Sequence, residues 1–137
     1  MRVFLDTNIL VDVLGERKPF NNLAEKIVTL ADQRKITLVV SALTYANVNY
    51  IISRDYGREQ TLEKLRKFKA ISEICPLDET IIEKGLLSKF TDFEDALQYY
   101  SALRANCEMI ITRNGKDFKE SAIPVLTPDE FLKGFLN

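Results

Sequence analysis

The chain has 137 residues, enough for one domain with a real core and too few for two. With 19 basic residues against 20 acidic ones the net charge is −1, which excludes a protein drawn onto nucleic acid or anionic membrane by its overall field. It has no histidine, so the usual zinc sites and every Ser-His or Cys-His nucleophile pair are excluded too; any chemistry must run on carboxylates, hydroxyls, amides, Lys, Arg or Tyr.

Short apolar, β-branched runs alternate with stretches of helical period. Arg2–Leu5 reads as the first strand, followed by a helix over about Thr7–Val13 and another over Asn22–Gln33. No basic-then-apolar leader and no run of about eighteen apolar residues precedes or interrupts them, so a cytoplasmic location without membrane contact is expected. Leu38–Val40 is the second strand, and Ala42–Tyr56 and Arg58–Lys69 are helical on either side of Gly57. Ser72–Cys75 is the third strand, Asp78–Ser88 and Phe93–Ala105 are helices, and Met109–Ile111 and Pro124–Leu126 complete the strands. Two stretches carry capping signatures: Thr91-Asp92-Phe93-Glu94 fits a capping box, and Thr127-Pro128-Asp129-Glu130 adds proline at the first helical position. Cys75 and Cys107 match no CxxC spacing and read as buried reduced thiols.

Strands that alternate with helices predict an α/β domain: a central parallel sheet of about five strands in a three-layer α/β/α sandwich, since each parallel crossover needs a covering helix. In such sheets ligands sit beyond the carboxyl ends of the strands. The polar residues found there are distinctive. Asp6 ends the first strand, with Thr7 and Asn8 able to cap the following helix. Asp92 and Asp95 share one flank of the helix that begins at Phe93, whose buried stripe is expected to be Phe93, Ala96, Leu97, Tyr100 and Leu103, with Glu94 pointing away. Thr112, Arg113, Asn114, Lys116 and Asp117 lie on the loop after Met109–Ile111.

Three distant segments thus bring Asp6, Asp92/Asp95 and Asp117 to one sheet edge. Two carboxylates about 4 Å apart repel by roughly 4 kcal/mol at an effective dielectric near 20, so protons or a cation must compensate. Oxygen ligands without imidazole or thiolate favour Mg²⁺ or Mn²⁺. Phosphodiester hydrolysis is the reaction class such an ion serves without histidine.

With Asp6-Thr7-Asn8 after the first strand, Asp95 within DFEDALQYYSA, and TRNGKDF after a strand, the chain resembles the PIN domain family nearly end to end. The resemblance implies a Mg²⁺- or Mn²⁺-dependent ribonuclease, in small bacterial members commonly a VapC-like toxin held by an antitoxin, and often dimeric. It carries catalytic and metal-binding roles to Asp6, Asp95 and Asp117, with Asp92 as an additional acid, the loop hydroxyl to Thr112, and support of Asp6 to Asn8. Two positions depart from the family pattern. Asn47 stands where a glutamate is usual, and Asn114 where many members have aspartate; an amide offers an oxygen but no charge.

Around this set, Ser41, Thr44 and Asn47 either line the pocket as substrate-binding groups or form a helix cap and a polar flank. Arg113 and Lys116 are candidates to meet a phosphate, with Asn114 beside them. Arg54–Lys69, with six basic and three acidic residues, reads as a backbone-tracking patch or as the solvated face of a helix whose Leu62, Leu65 and Phe68 are core. Tyr45, Tyr50 and Tyr56 are core or stacking residues. The closing FLKGFLN packs on the domain or meets a second chain. The leading expectation is an RNA-cleaving toxin; the alternative is a catalytically weakened module binding RNA or protein, on account of Asn47. A phosphatase or nucleotide-binding protein is disfavoured, because no glycine-rich phosphate loop follows any strand.

Overall fold

The computed structural model describes residues 1–136, and side chains through Phe135; Asn137 and the Leu136 side chain, part of the closing stretch, lie outside the described residues. Five strands form one sheet: β1 (Arg2–Leu5), β2 (Thr37–Ser41), β3 (Ser72–Cys75), β4 (Met109–Ile111) and β5 (Val125–Leu126). All neighbours are parallel and the spatial order is β3-β2-β1-β4-β5. The helices are α1 (Thr7–Leu14), α2 (Asn21–Asp32), α3 (Ala42–Lys69), α4 (Glu79–Leu86), α5 (Phe93–Arg104) and α6 (Pro128–Leu136), with a 3-10 turn at Gly115–Phe118.

Because strand side chains alternate between faces, β1 feeds two cores at once. Val3 and Leu5 pack with Leu38, Val40 and Ile111 beneath α1, α2, α3 and α6. Phe4 packs with Val39, Ile110 and Phe118 beneath α4 and α5. The expected three-layer α/β/α architecture is the one observed. α3 is continuous in sequence but broken at Gly57, whose φ of 77° and ψ of 171° only glycine adopts without strain; the break falls where the two predicted helices meet. Thr127 and Glu130 form the reciprocal capping box expected at the start of α6, with Glu130 N–H donating to Thr127 Oγ1 at 3.2 Å and Thr127 N–H to Glu130 Oε1 at 2.9 Å. α6 then buries Phe131 and Leu132 in the first core. Both cysteines are free and buried. No helix of the described residues is long and apolar enough to cross a membrane.

The chain runs outward from β1 through β2 to β3, then returns across the sheet to β4 and β5. Strand order therefore reverses between β1 and β4, and the crevice at their carboxyl ends is where such sheets bind ligands.

Candidate active site

Asp6 is delivered to that crevice by the ladder itself. Its N–H still donates to Ile111 O of β4 at 3.0 Å, and the chain then turns into α1. Asp6, rather than Thr7 or Asn8, is the N-cap: its φ/ψ of −71°/154° is extended and its Oδ1 accepts from Thr7 N–H at 2.8 Å. The other oxygen, Oδ2, accepts from the Thr112 hydroxyl at 2.8 Å, and Gln98 Nε2 donates to Oδ1 at 3.3 Å. Only 7% of Asp6 is exposed. That burial pushes its carboxyl above the usual range; the hydrogen bonds from Thr112, Gln98 and Thr7 oppose the shift, and the charge of Asp117 adds to it.

The second acidic group comes from the start of α5. Asp92 is its N-cap, accepting from Asp95 N–H at 3.1 Å, so the cap falls one residue later than the capping box predicted at Thr91. This role holds the Asp92 side chain at the helix end, and it does not line the cavity. Glu94 does, contrary to the expectation that it points away. The reason is helix phase: α5 buries Ala96, Leu97, Tyr99 and Ala102, whereas Phe93 and Leu103 of the expected stripe are 43% and 37% exposed. Asp95 is half-buried at the cavity wall. Burial first, then the charges of Asp92, Asp6, Asp117 and Glu94, push its carboxyl up to about 7.

Asp6, Asp95 and Asp117 line one open cavity of about 450 Å³, together with Thr7, Asn8, Asn47, Tyr50, Arg113, Asn114 and the unpredicted Arg17, Glu94 and Gln98. Ser41, Thr44 and Thr112 are buried behind its wall, 1%, 0% and 0% exposed, and do not line it. The Thr112 hydroxyl donates to Asp6 and accepts from Asn8 Nδ2 at 3.3 Å and from Asn114 N–H at 3.1 Å, which fixes its direction. Lys116 is exposed on the 3-10 turn and outside the lining.

Arg113 is less free than a loop position implies. Its Nε and Nη2 donate to Asp12 Oδ2 and Oδ1 at 2.7 and 3.3 Å, and its guanidinium carbon lies 4.0 Å from the Phe20 ring centroid. Asp12, fully buried in α1, drew no attention in sequence because its partner is 101 residues away. The basic stretch of α3 reads as a solvated face: Arg58 and Arg66 pair with Glu59 and Glu63, Lys64 sits over Tyr56, and Leu65 and Phe68 are core. Tyr45 packs on the core, Tyr56 donates to Glu16, and Tyr50, 67% exposed, stands at the cavity.

The donor set of the cavity is carboxylate and amide, without imidazole or thiolate, and Asn8 Oδ1 is buried without a hydrogen-bond partner. Among the described residues no three Asp, Glu or Cys side chains form a ready-made metal-binding group. The carboxylates line one shared open cavity. Such an arrangement suits Mg²⁺, which is commonly held by one or two carboxylates with water and phosphate oxygens completing its shell.

A sequence model of the PIN domain matches residues 2–116, ending one residue before Asp117. Ribonuclease VapC1 of Aquifex aeolicus is 30% identical over 135 residues, covering 95% of this chain and 92% of the relative. A toxin-antitoxin complex from Klebsiella pneumoniae superposes with a TM-score of 0.68 at 26% identity, over 92% of this chain and 97% of that one. VapBC2 from Rickettsia felis, bound to a DNA fragment from its promoter, shares the fold at the same TM-score of 0.68 and 23% identity, with the same coverage of 92% and 97%.

Proposed function

Because the chain belongs to the PIN domain family, we propose that it is a metal-dependent endoribonuclease, the toxin of a toxin-antitoxin pair, and that the acidic cavity hydrolyses RNA phosphodiester bonds. The observation that carries this reading is the convergence of Asp6, Asp95 and Asp117, from three distant segments, on one open cavity at the switch point of the sheet. The name of the 30%-identical relative supports the reaction class, and the Klebsiella complex supports an antitoxin as partner.

Asp6, Asp95 and Asp117 would hold Mg²⁺ or Mn²⁺, with the amides of Asn8 and Asn47 nearby. A divalent ion held there supplies positive charge against the scissile phosphate and makes a water easier to deprotonate. Asp6 contributes a carboxylate already fixed by three donors. At Asp95, lifted to about 7, proton and ion would compete for the carboxylate, so ion binding would strengthen as pH rises through that value. Asn47 adds no charge where the family usually has glutamate; Glu94, not Asp92, stands in the lining to make it up. Arg17 and Arg113 on the rim meet backbone phosphates, and Arg17 has no ion pair among the described residues.

Cleavage of single-stranded RNA in Mn²⁺ tests the reading. The parent should cut, EDTA should stop it, and Asp6→Asn should slow it at least about a hundredfold with the same melting temperature to within a few degrees. An Asp6→Asn protein that cuts as fast as the parent removes Asp6 from the mechanism.

A further inference from the structure

We propose that Gln98 is the positioning residue of this site: a buried amide that holds the Asp6 carboxylate in one rotamer through hydrogen bonds it can make in a single orientation. The inference rests on the metal-nuclease reading above and adds to it a residue that carries no charge.

Gln98 lies on α5 one helical turn beyond Asp95, and 3% of it is exposed. Its amide reaches two other segments, Asp6-Thr7 at the start of α1 and Ser41 to Thr44 at the start of α3. The two Nε2 hydrogens are shared among Asp6 Oδ1 at 3.3 Å, Thr7 Oγ1 at 3.1 Å and Thr44 Oγ1 at 3.0 Å, while Oε1 accepts from the Ser41 hydroxyl. Ser41 is itself held, because its Oγ caps α3 by accepting from Thr44 N–H at 3.2 Å. Thr7 and Thr44 complete the ring, their hydroxyls 2.9 Å apart.

The orientation of the amide follows from its neighbours. Rotated by half a turn, the carbonyl oxygen would face a carboxylate that has no hydrogen to give, and the NH₂ would face Ser41. The contact with Asp6 turns repulsive, whereas the Ser41 hydroxyl could accept as readily as it donates, so it is the Asp6 carboxylate that selects the observed orientation. Asp6 is thereby gripped from both sides, by Thr112 on Oδ2 and by Gln98 and Thr7 N–H on Oδ1.

An apolar side chain at this position of α5 would pack without any cost of burying an amide. A purely structural Gln98 would tie β1, α3 and α5 together, and losing it would lower stability alone. A positioning Gln98 affects the ion and the chemical step in protein that is still folded. Partners that orient metal-binding side chains are worth roughly 10–100-fold in metal affinity or activity.

The test is Gln98→Met, similar in volume and without donors, measured by Mn²⁺ titration calorimetry and by RNA cleavage well below the melting temperature. The Mn²⁺ dissociation constant should rise and kcat fall, each by about tenfold or more, while KM for RNA stays within about twofold. Ser41→Ala, which leaves Gln98 in place but removes the partner that fixes it, should change both in the same direction by less. A folded Gln98→Met with the parent's affinity and kcat overturns the proposal. If Gln98→Met does not fold, parent-like values for Ser41→Ala overturn it. A parent that neither binds Mn²⁺ nor cuts RNA is a different result, since it removes the reading of the site and not merely the role of Gln98.

Discussion

Asp12 and Arg113 make an asymmetric ion pair, and the asymmetry gives a stability prediction. The Asp12 side chain is 1% exposed and the Arg113 side chain 30%. Removing the arginine as Arg113→Met strands a carboxylate in the interior, a loss of about 3–5 kcal/mol for a broken buried pair. Removing the charge from the other side as Asp12→Asn leaves the guanidinium with access to water and with Phe20 still against its face. An asparagine oxygen also still accepts one of its N–H groups, so the cost is about 2 kcal/mol, the scale of a weakened charge-assisted hydrogen bond. The double variant should cost less than the sum of the two, with a coupling of at least about 1 kcal/mol. Urea unfolding reads all four proteins, since a domain of this size is expected to unfold in one step and a shifted midpoint at constant slope reports stability. If Arg113→Met costs no more than Asp12→Asn, the claim that Asp12 is a buried charge dependent on that partner fails.

Three further predictions concern pH, charge and backbone. Asp95 is raised from 3.8 to about 7 and Asp6 is raised as well, so between about 4 and 7 the folded state binds more protons than the unfolded one. The stability that Asp95 contributes in EDTA should therefore fall as pH rises through that window, so the melting temperature of the parent relative to Asp95→Asn should drop across it; a difference that instead grows with pH refutes the shift. Asn47→Glu should tighten Mn²⁺ binding by calorimetry, whereas no change places position 47 outside the ion's reach. Gly57→Ala should destabilise by about 1–3 kcal/mol in urea, because the strain comes from φ of 77° and not from crowding; a neutral result contradicts the observed kink.

The sheet and its active edge were legible because each depends on local pattern. Arg2–Leu5 and Met109–Ile111 are short, largely apolar runs, and each is followed by polar residues that have to leave the ladder, Asp6-Thr7-Asn8 and Thr112-Arg113-Asn114. The break at Gly57 was legible for the same reason. What sequence did not carry was helix phase and long-range pairing. Glu94 and Asp92 exchange places relative to expectation because α4 packs on α5 and selects which side of α5 is buried. Gln98 was overlooked because an amide between Leu97 and Tyr99 shows no charge pattern, and only the fold reveals that Ser41, Thr44 and Asp6 surround it. Asp12 looked like one more polar residue on α1 until Arg113 was seen across 101 positions. A polar residue at a helix position flanked on both sides by apolar ones, Val11 and Val13 or Leu97 and Tyr99, is the signal that would have found both.

Titration calorimetry of Mn²⁺ into the parent, Asp6→Asn and Asp95→Asn proteins above neutral pH asks most directly whether this cavity is built around a cation. Binding that EDTA reverses in the parent, and that each single loss of charge weakens at least about tenfold, is the predicted result. An absence of binding in the parent, or binding that neither substitution changes, would contradict the account.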